Sequence, residues 1–493
     1  MSTSPRIAEL RRAAAGRPAG PAGETTEPVV RIDDLHVSFA RGASTVNAVR
    51  GVTLEIARGE IVGLVGESGS GKSVLGLSML GLLPTSPAPR ITGTVTVDGV
   101  DMVHAPAAER RRVRRLQLGS IFQDPMTSLN PTMRVGAQVA EAAGSMDEAI
   151  RLLDAVGVPE PARRARAYPH ELSGGLRQRV MIAMAVAGNP SLVIADEPTT
   201  ALDVTVQAQI LELVQSLRDE IGCSFVFVTH DLGVAAQVAD RIVVMYGGRV
   251  MEVGTWEQVL DDPHHPYTVA LLRTRLSMAS SDERPLPTLT GEPPDPRNHP
   301  PGCPFGPRCA LHVEDCDGDV PLLPIAGTSG RAAACIRQER TKEREEVIAP
   351  AQANWPEPMV QQPQHRYPAV VLRDVHKTFQ VGSGMRKKET LHALRGVDLE
   401  VASGEAVAIV GESGCGKSTL LRVIAGLGPQ DSGEVELGRG GRPQLIFQDA
   451  GASMTPWLSV GEMLTDRLRA DGVTGRERAD RVRDALGMVG LPA

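Results

Sequence analysis

The apolar positions of the chain fall into short runs and alternations that name its elements one by one. IVGLV, Ile61 to Val65, is a continuous apolar run of the length of a buried strand, and VLGLSMLGLL from Val74 repeats apolar residues at helical spacing. Between them lies GESGSGKS, so the context is strand, loop, helix. Upstream, VVRIDDLHVSF from Val29 predicts a strand ending at Phe39, and VTLEI from Val52 alternates as a half-buried antiparallel strand should. ITGTVTVDG from Ile91 alternates again, and LGSIF from Leu118 predicts a strand running into Gln123. Residues 132–186 have helical composition, broken by Tyr168-Pro169-His170-Glu171 and then by LSGGLRQR from Leu172. Leu192 to Ala195 and Phe225 to Thr229 predict two more buried strands, the first ending in Asp196 and Glu197, the second in His230. Strands alternating with helices predict an α/β fold, a mostly parallel sheet flanked by antiparallel strands, with its ligand site at the carboxyl ends of the parallel strands.

The same pattern then recurs. AVRGVTLEIARGE, Ala48 to Glu60, returns as ALRGVDLEVASGE, Ala393 to Glu405, and GESGCGKST follows from Gly411 to Thr419 at the same spacing of 345 residues. A constant offset over this length marks a duplicated domain. The second copy offers Phe379 at a strand end and Gln448 after IF, and its last residues, MVGLPA, align with AVGVPE at Ala155 to Glu160. The 493 residues therefore stop before a second LSGG loop, a second Asp-Glu strand and a second His, and the expectation is a truncated second domain.

Composition adds bounds. With 42% hydrophobic and 23% charged residues, the chain is ordinary for globular protein of about three domains. A net charge of −7 gives no electrostatic footprint for nucleic acid, and no stretch approaches eighteen consecutive apolar residues, so nothing here spans a membrane by itself. Residues 1–27 read as a flexible tail, 28–262 as the first domain, 263–340 as a Pro- and Cys-rich extension, 341–366 as a linker and 367–493 as the partial second domain.

The chemistry begins at the loop. Two glycines, Gly66 and Gly71, followed by Lys72 and Ser73, fit the phosphate-cradling pattern. Backbone N–H groups along Gly66, Ser68, Gly69, Ser70 and Gly71 curl round a phosphate, Lys72 reaches the β/γ oxygens, and the Ser73 hydroxyl holds Mg²⁺. The implied ligand is a nucleoside triphosphate. In the second copy the same parts are Gly411, Ser413, Gly414, Gly416, Lys417, Ser418 and Thr419, with Ser418 and Gln448 as the Mg²⁺ pair.

This loop, Gln123, LSGGL at Leu172 to Leu176, the Asp196-Glu197 pair, Ala201-Leu202-Asp203 and His230, in that order, resemble the ATPase subunit of an ABC transporter, a phosphate-loop NTPase fold with a helical subdomain. QDPMTSLNP, YPHELSGG, HPYT at His265 to Thr268, and GEPPDPRNHPPGCPFGPRC from Gly291 are similar to the oligopeptide, dipeptide and nickel importers within that family. The resemblance implies Mg-dependent ATP hydrolysis on the cytoplasmic face of the membrane, coupled to separate permease subunits and an extracytoplasmic solute-binding protein. Asp196 would hold Mg²⁺ through water and Glu197 would polarise the attacking water. It further implies that Gln123 senses Mg²⁺, that His230 contacts the γ-phosphate, and that Phe39 and Phe379 stack on adenine. Ser173, Gly174 and Gly175 would bind a nucleotide held by an opposite domain, and Leu176 stands where the family's signature usually has Gln. Neither pairing of the two copies in this chain completes such a site, so a homodimer or a second ATPase subunit is expected. A non-hydrolysing remnant, or a soluble tandem ATPase acting on ribosomes or DNA, is the alternative.

Four of the six cysteines, Cys303, Cys309, Cys316 and Cys335, fall within the extension. Four thiolates could close round Zn²⁺ or an iron–sulfur cluster. The family resemblance favours a [4Fe–4S] cluster, with an empty site as the remaining reading.

Overall fold

A computed structural model describes residues 27–42, 44–200, 202–273, 289, 291–342, 368–381, 389–412, 414–438, 443–447 and 454–491. The tail at 1–26 and most of the expected linker lie outside these residues. The chain divides into two compact units, Met1–Gln361 and Gln362–Ala493, so the Cys-rich extension belongs to the same unit as the first phosphate loop.

In the first unit, β1 (Val30–Arg41), β2 (Ser44–Ile56), β4 (Arg90–Val97) and β5 (Val100–Asp101) form an antiparallel sheet in the order β2-β1-β4-β5. A larger sheet contains β3 (Ile61–Val65), β6 (Leu118–Ile121), β7 (Leu192–Asp196), β8 (Ser224–Thr229) and β9 (Arg241–Tyr246). These five run parallel in the order β9-β3-β8-β7-β6. Antiparallel β10 (Arg249–Thr255) follows β9 at one edge, and two short strands of the extension, β11 (Leu323–Pro324) and β12 (Ala332–Ala333), continue the sheet from β10.

Successive side chains of a strand point to opposite faces, and the central parallel strands are apolar nearly throughout because both of their faces are buried. Ile61, Val65, Phe225, Phe227, Ile242 and Val244 point into one core with the helices Gly174–Val186 and Leu232–Val238. Val62, Leu64, Val226, Val228, Val243 and Met245 point into the other, against the helix Lys72–Leu80 and the antiparallel sheet. Gly63 in the middle of β3 allows the helix Leu232–Val238 to approach, since a Cβ there would lie 2.9 Å from the Ala239 side chain and 3.1 Å from that of Ala235. Every parallel strand ends on the same side, which puts the residues after β3, β6, β7 and β8 in one row. The expected helical stretch resolves into Val135–Ala143, Met146–Ala155, Pro161–Arg164 and Gly174–Val186, with a short 3₁₀ turn at Pro169–Glu171 where Tyr168-Pro169 interrupts the pattern.

The second unit contains an antiparallel sheet of β13 (Pro368–Val381), β14 (Glu389–Ala402) and β15 (Ser432–Leu437), and the helices Lys417–Ile424, Val460–Ala470 and Gly475–Met488. Residues 405–410, which correspond to β3 and the residue before it, join no described strand. Among the described residues of both units, no helix is long and apolar enough to cross a membrane.

Candidate active site

The phosphate loop leaves β3 at Val65 and enters the helix Lys72–Leu80 through Gly71, whose φ of 98° lies in the left-handed region open to glycine. Space demands glycine as well. A Cβ on Gly66 would meet the Met245 carbonyl oxygen at 2.1 Å, and one on Gly71 would meet that of Ala48 at 2.4 Å. The loop is thereby seated against the end of β9 and against β2. No side chain caps the helix, so its first N–H groups face the loop as an anion site would need. Lys72 is buried, and its ammonium donates to the carbonyls of Gly66 (2.7 Å) and Glu67 (2.8 Å) and to Ser70 Oγ (3.3 Å). Burial lowers its pKa, a shift opposed by the nearby carboxylates of Glu197, Asp196 and Glu67.

Three strand ends, those of β6, β7 and β8, bring the other candidates to this loop. Ser73 Oγ donates to Asp196 Oδ1, at the end of β7, over 3.3 Å. Glu197 follows in the left-handed region at φ 46°, and its N–H donates to the Val228 carbonyl of β8 (2.9 Å). Its carboxylate accepts from Gln123 Nε2 (3.2 Å), from the Thr200 hydroxyl (2.8 Å) and from His230 Nδ1 (3.2 Å). Burial would push the Glu197 carboxyl up, but the hydrogen bonds of Thr200 and His230 and the charges of His230 and Lys72 outweigh it, and the net shift is downward. Asp196 moves the other way: burial and the charge of Glu197 raise it, against Ser73 and Lys72. Two adjacent carboxyls so separated are suited to different tasks.

Ser173, Gly174 and Gly175 stand apart from this hydrogen-bonded group. Ser173 caps the helix Gly174–Val186 by accepting from the Leu176 N–H, so Leu176 takes part through its backbone alone in that cap. Gly175 lies so near Val206 that a Cβ would meet its Cγ1 at 2.8 Å. Phe39, near the end of β1, is half-buried and leans on the core between the two sheets. Ala201 lies outside the described residues, whereas Asp203 caps the helix Val204–Ile221 by accepting from Val206.

In the second unit Lys417 repeats the geometry of Lys72, donating to the carbonyls of Gly411 (2.6 Å) and Glu412 (2.7 Å), and Gly414 and Gly416 keep the positive φ of Gly69 and Gly71. Ser418 and Thr419 open the helix that follows. Ser413 and Gln448 lie outside the described residues. Phe379 is exposed beside the Lys377 ammonium, which lies 5.8 Å from its ring centre.

The structure brings the four extension cysteines together around one small cavity, with His265 and His312 at its wall. The segment folds back on itself where the Cys303 N–H donates to the Cys316 carbonyl, and the Ala334 N–H donates to Met251 of β10, which carries Cys335 into place. All four thiols are free. Burial raises the pKa of Cys303, of Cys309 to about 11 and of Cys335 to about 12. Among the described residues, however, no group of three or more His, Cys, Asp or Glu side chains is arranged to hold a metal ion.

Three residues of consequence have no role assigned from the sequence: Thr200, outside the quoted motifs, and Tyr267 and Arg308, which lie within HPYT and GEPPDPRNHPPGCPFGPRC. Tyr267 Oη accepts the Glu67 N–H (2.8 Å), and Arg308 pairs with the Glu67 carboxylate (2.9 and 3.3 Å). Glu67, inside the loop, was readable only as one of its variable positions.

A phosphate loop opening a helix, a hydroxyl paired with a carboxylate at the end of β7, and a second carboxylate on the next residue define an ATPase of the phosphate-loop class. The chain belongs to the ABC transporter family, which residues 49–200 and 394–493 both match, while residues 251–316 match the C-terminal region of oligopeptide/dipeptide transporters. It is 39% identical over 503 residues to the oligopeptide transport ATP-binding protein OppD of Mycobacterium tuberculosis, covering 94% of this chain and 79% of that one. It is 45% identical over 310 residues to OppD of Bacillus subtilis, covering 61% of this chain and 87% of the relative, and 43% identical over 327 residues to the dipeptide transport ATP-binding protein DppD of the same organism, covering 64% and 97%.

Proposed function

We propose that the chain is the ATP-hydrolysing subunit of a peptide importer, docked on the cytoplasmic face of separate permease subunits that receive peptide from an extracytoplasmic binding protein. The observation that carries the hydrolytic part is the Glu197 carboxylate, held by Gln123, Thr200 and His230 beside the Ser73–Asp196 pair. In this reading Glu197 orients and deprotonates the attacking water, Gln123 and His230 hold Glu197 and adjoin the γ-phosphate, and Phe39 flanks adenine. Ser73 and Asp196 offer the hard oxygen donors that suit Mg²⁺, which would neutralise phosphate charge there. Ser173 to Gly175, standing apart from this group, serve a nucleotide held by a second ATPase domain, in a homodimer or a partner subunit. The match of residues 251–316 and the printed names of the relatives support peptides as cargo. The test is ATP turnover by the chain reconstituted with its permease in vesicles: turnover should rise when peptide-loaded binding protein is added outside, and a rate indifferent to peptide would reject the cargo.

The thiol-lined cavity supports a second, separable reading. Four cysteines surround one space, although among the described residues no group of three or more His, Cys, Asp or Glu side chains is arranged to hold a metal ion, and it is the family resemblance that points to a [4Fe–4S] group ahead of Zn²⁺. Cys303, Cys309, Cys316 and Cys335 would hold it. Chain purified without oxygen should carry iron and acid-labile sulfide and absorb broadly near ~400 nm. Zinc alone would favour the mononuclear site, and neither metal would leave the cavity a packing feature.

A further inference from the structure

We propose that the Cys-rich extension is a working part of the nucleotide site, with Tyr267 and Arg308 as positioning residues that hold Glu67, and through Glu67 the lysine of the phosphate loop. The proposal rests on the reading of Lys72 and its loop as the ATP site.

Glu67 is gripped at every polar group it has. Its N–H donates to Tyr267 Oη at 2.8 Å, and its carboxylate accepts two bonds from the Arg308 guanidinium, at 2.9 and 3.3 Å. Its carbonyl accepts from the Lys72 ammonium at 2.8 Å. One residue of the loop therefore stands between the extension and the side chain that reaches for phosphate. The grip is stiff because its holders are packed. The Arg308 side chain is only 6% exposed, and it also donates to Tyr246 Oη at 2.8 Å while lying 5.8 Å from that ring's centre. Tyr246, Tyr267 and Phe305 pack ring against ring with centroids 4.4 to 5.5 Å apart. A bidentate guanidinium in a desolvated setting is a directional contact and not a loose surface pair.

The second copy repeats the loop itself. There Lys417 makes the same two carbonyl bonds, and the glycines take the same backbone shape, although no hydrogen bond to Glu412 from a residue in the part of Tyr267 or Arg308 occurs among the described residues. The loop's backbone shape and its lysine contacts thus recur in both copies, and the grip on Glu67 is described in the first. What it adds is a fixed place for the loop relative to the sheet end, and a preorganised cradle binds phosphate more tightly than a wandering one.

The gentlest test is Tyr267→Phe, which keeps the ring packing and removes only the acceptor for the Glu67 N–H. Its KM for ATP should rise ~3- to 10-fold, the range for one net hydrogen bond, with kcat changed by less than about twofold and Tm nearly unchanged. Arg308→Met and Glu67→Gln should each raise KM as well, and the double variant should be no worse than the poorer single one. If the contacts merely dock the extension, Tm would fall in these variants while KM stayed at the parent value, and the proposal would be overturned. Additive effects of the Arg308 and Glu67 changes would overturn it too. Nucleotide binding that was equally weak in the parent and in Lys72→Ala would instead reject the underlying assignment of the ATP site.

Discussion

Ser73 Oγ lies 3.3 Å from Asp196 Oδ1, so the first turn after the phosphate loop is tied to the end of β7 by two oxygens that a hard divalent cation favours. Removing either donor should weaken Mg²⁺ more than nucleotide. Ser73→Ala and Asp196→Asn are expected to raise the Mg²⁺ concentration for half-maximal phosphate release by at least ~10-fold, a typical cost of disturbing a metal's surroundings. A magnesium titration at saturating ATP would show it, and an unchanged midpoint would dissociate the pair from the metal.

Glu197→Gln leaves the loop and the Ser73–Asp196 pair intact while removing the base. Turnover should fall by on the order of 10²- to 10⁴-fold with ATP binding preserved. Parent-like hydrolysis by this variant would place the base elsewhere.

The Thr200 hydroxyl, 2.8 Å from Glu197 Oε2, helps hold that carboxyl below its usual range against the effect of burial. A base works only above its pKa, so the acidic limb of the rate profile lies low in the parent. Thr200→Val should move that limb to higher pH and leave the rate well above it less affected. A limb that did not move would mean that another group limits the rate in acid.

Glu252, fully buried in β10, accepts the N–H groups of His264 (2.8 Å) and His265 (3.0 Å), and burial pushes its carboxyl up to about 7. Between its ordinary value of 4.5 and about 7 the folded chain then holds more proton than the unfolded one, so this group's contribution to stability declines as pH rises through that window. In thermal melts across the window, the Tm of Glu252→Gln minus that of the parent should drift upward with pH. A difference independent of pH would show that Glu252 is ionised throughout.

The parallel strands and the row of Gly66 to Ser73, Gln123, Asp196, Glu197 and His230 were legible because each element announces itself locally: four or five apolar residues, then a polar one at the strand end. The strands β9 and β10 went unread: RIVVMY carries the same kind of run, and in RVMEVGT Glu252 interrupts it. Tyr267 and Arg308 lie within stretches that carry the family resemblance, HPYT and GEPPDPRNHPPGCPFGPRC, but their hold on Glu67 was beyond such reading for a physical reason. They meet Glu67 across 200 and 241 residues of chain, and a tyrosine in an apolar cluster or an arginine between Pro307 and Cys309 shows no period that would single it out. The cysteines could be suspected from their density, but their convergence depends on the pairing of β10 with β12, which the two residues of β12 do not announce. In the second copy the loop was legible for the same local reason as in the first.

The extension's two short strands also decide how the large sheet ends. Without them β10 would present a free row of backbone donors and acceptors, the template on which sheets of neighbouring molecules join. β12 takes up the middle of that row, at Glu252 and Val253, and β11, outermost, consists of Leu323 and Pro324. Proline has no N–H to offer a further strand. The segment that grips the phosphate loop thus doubles as a terminator, closing one side of the ATPase sheet to growth by strand addition.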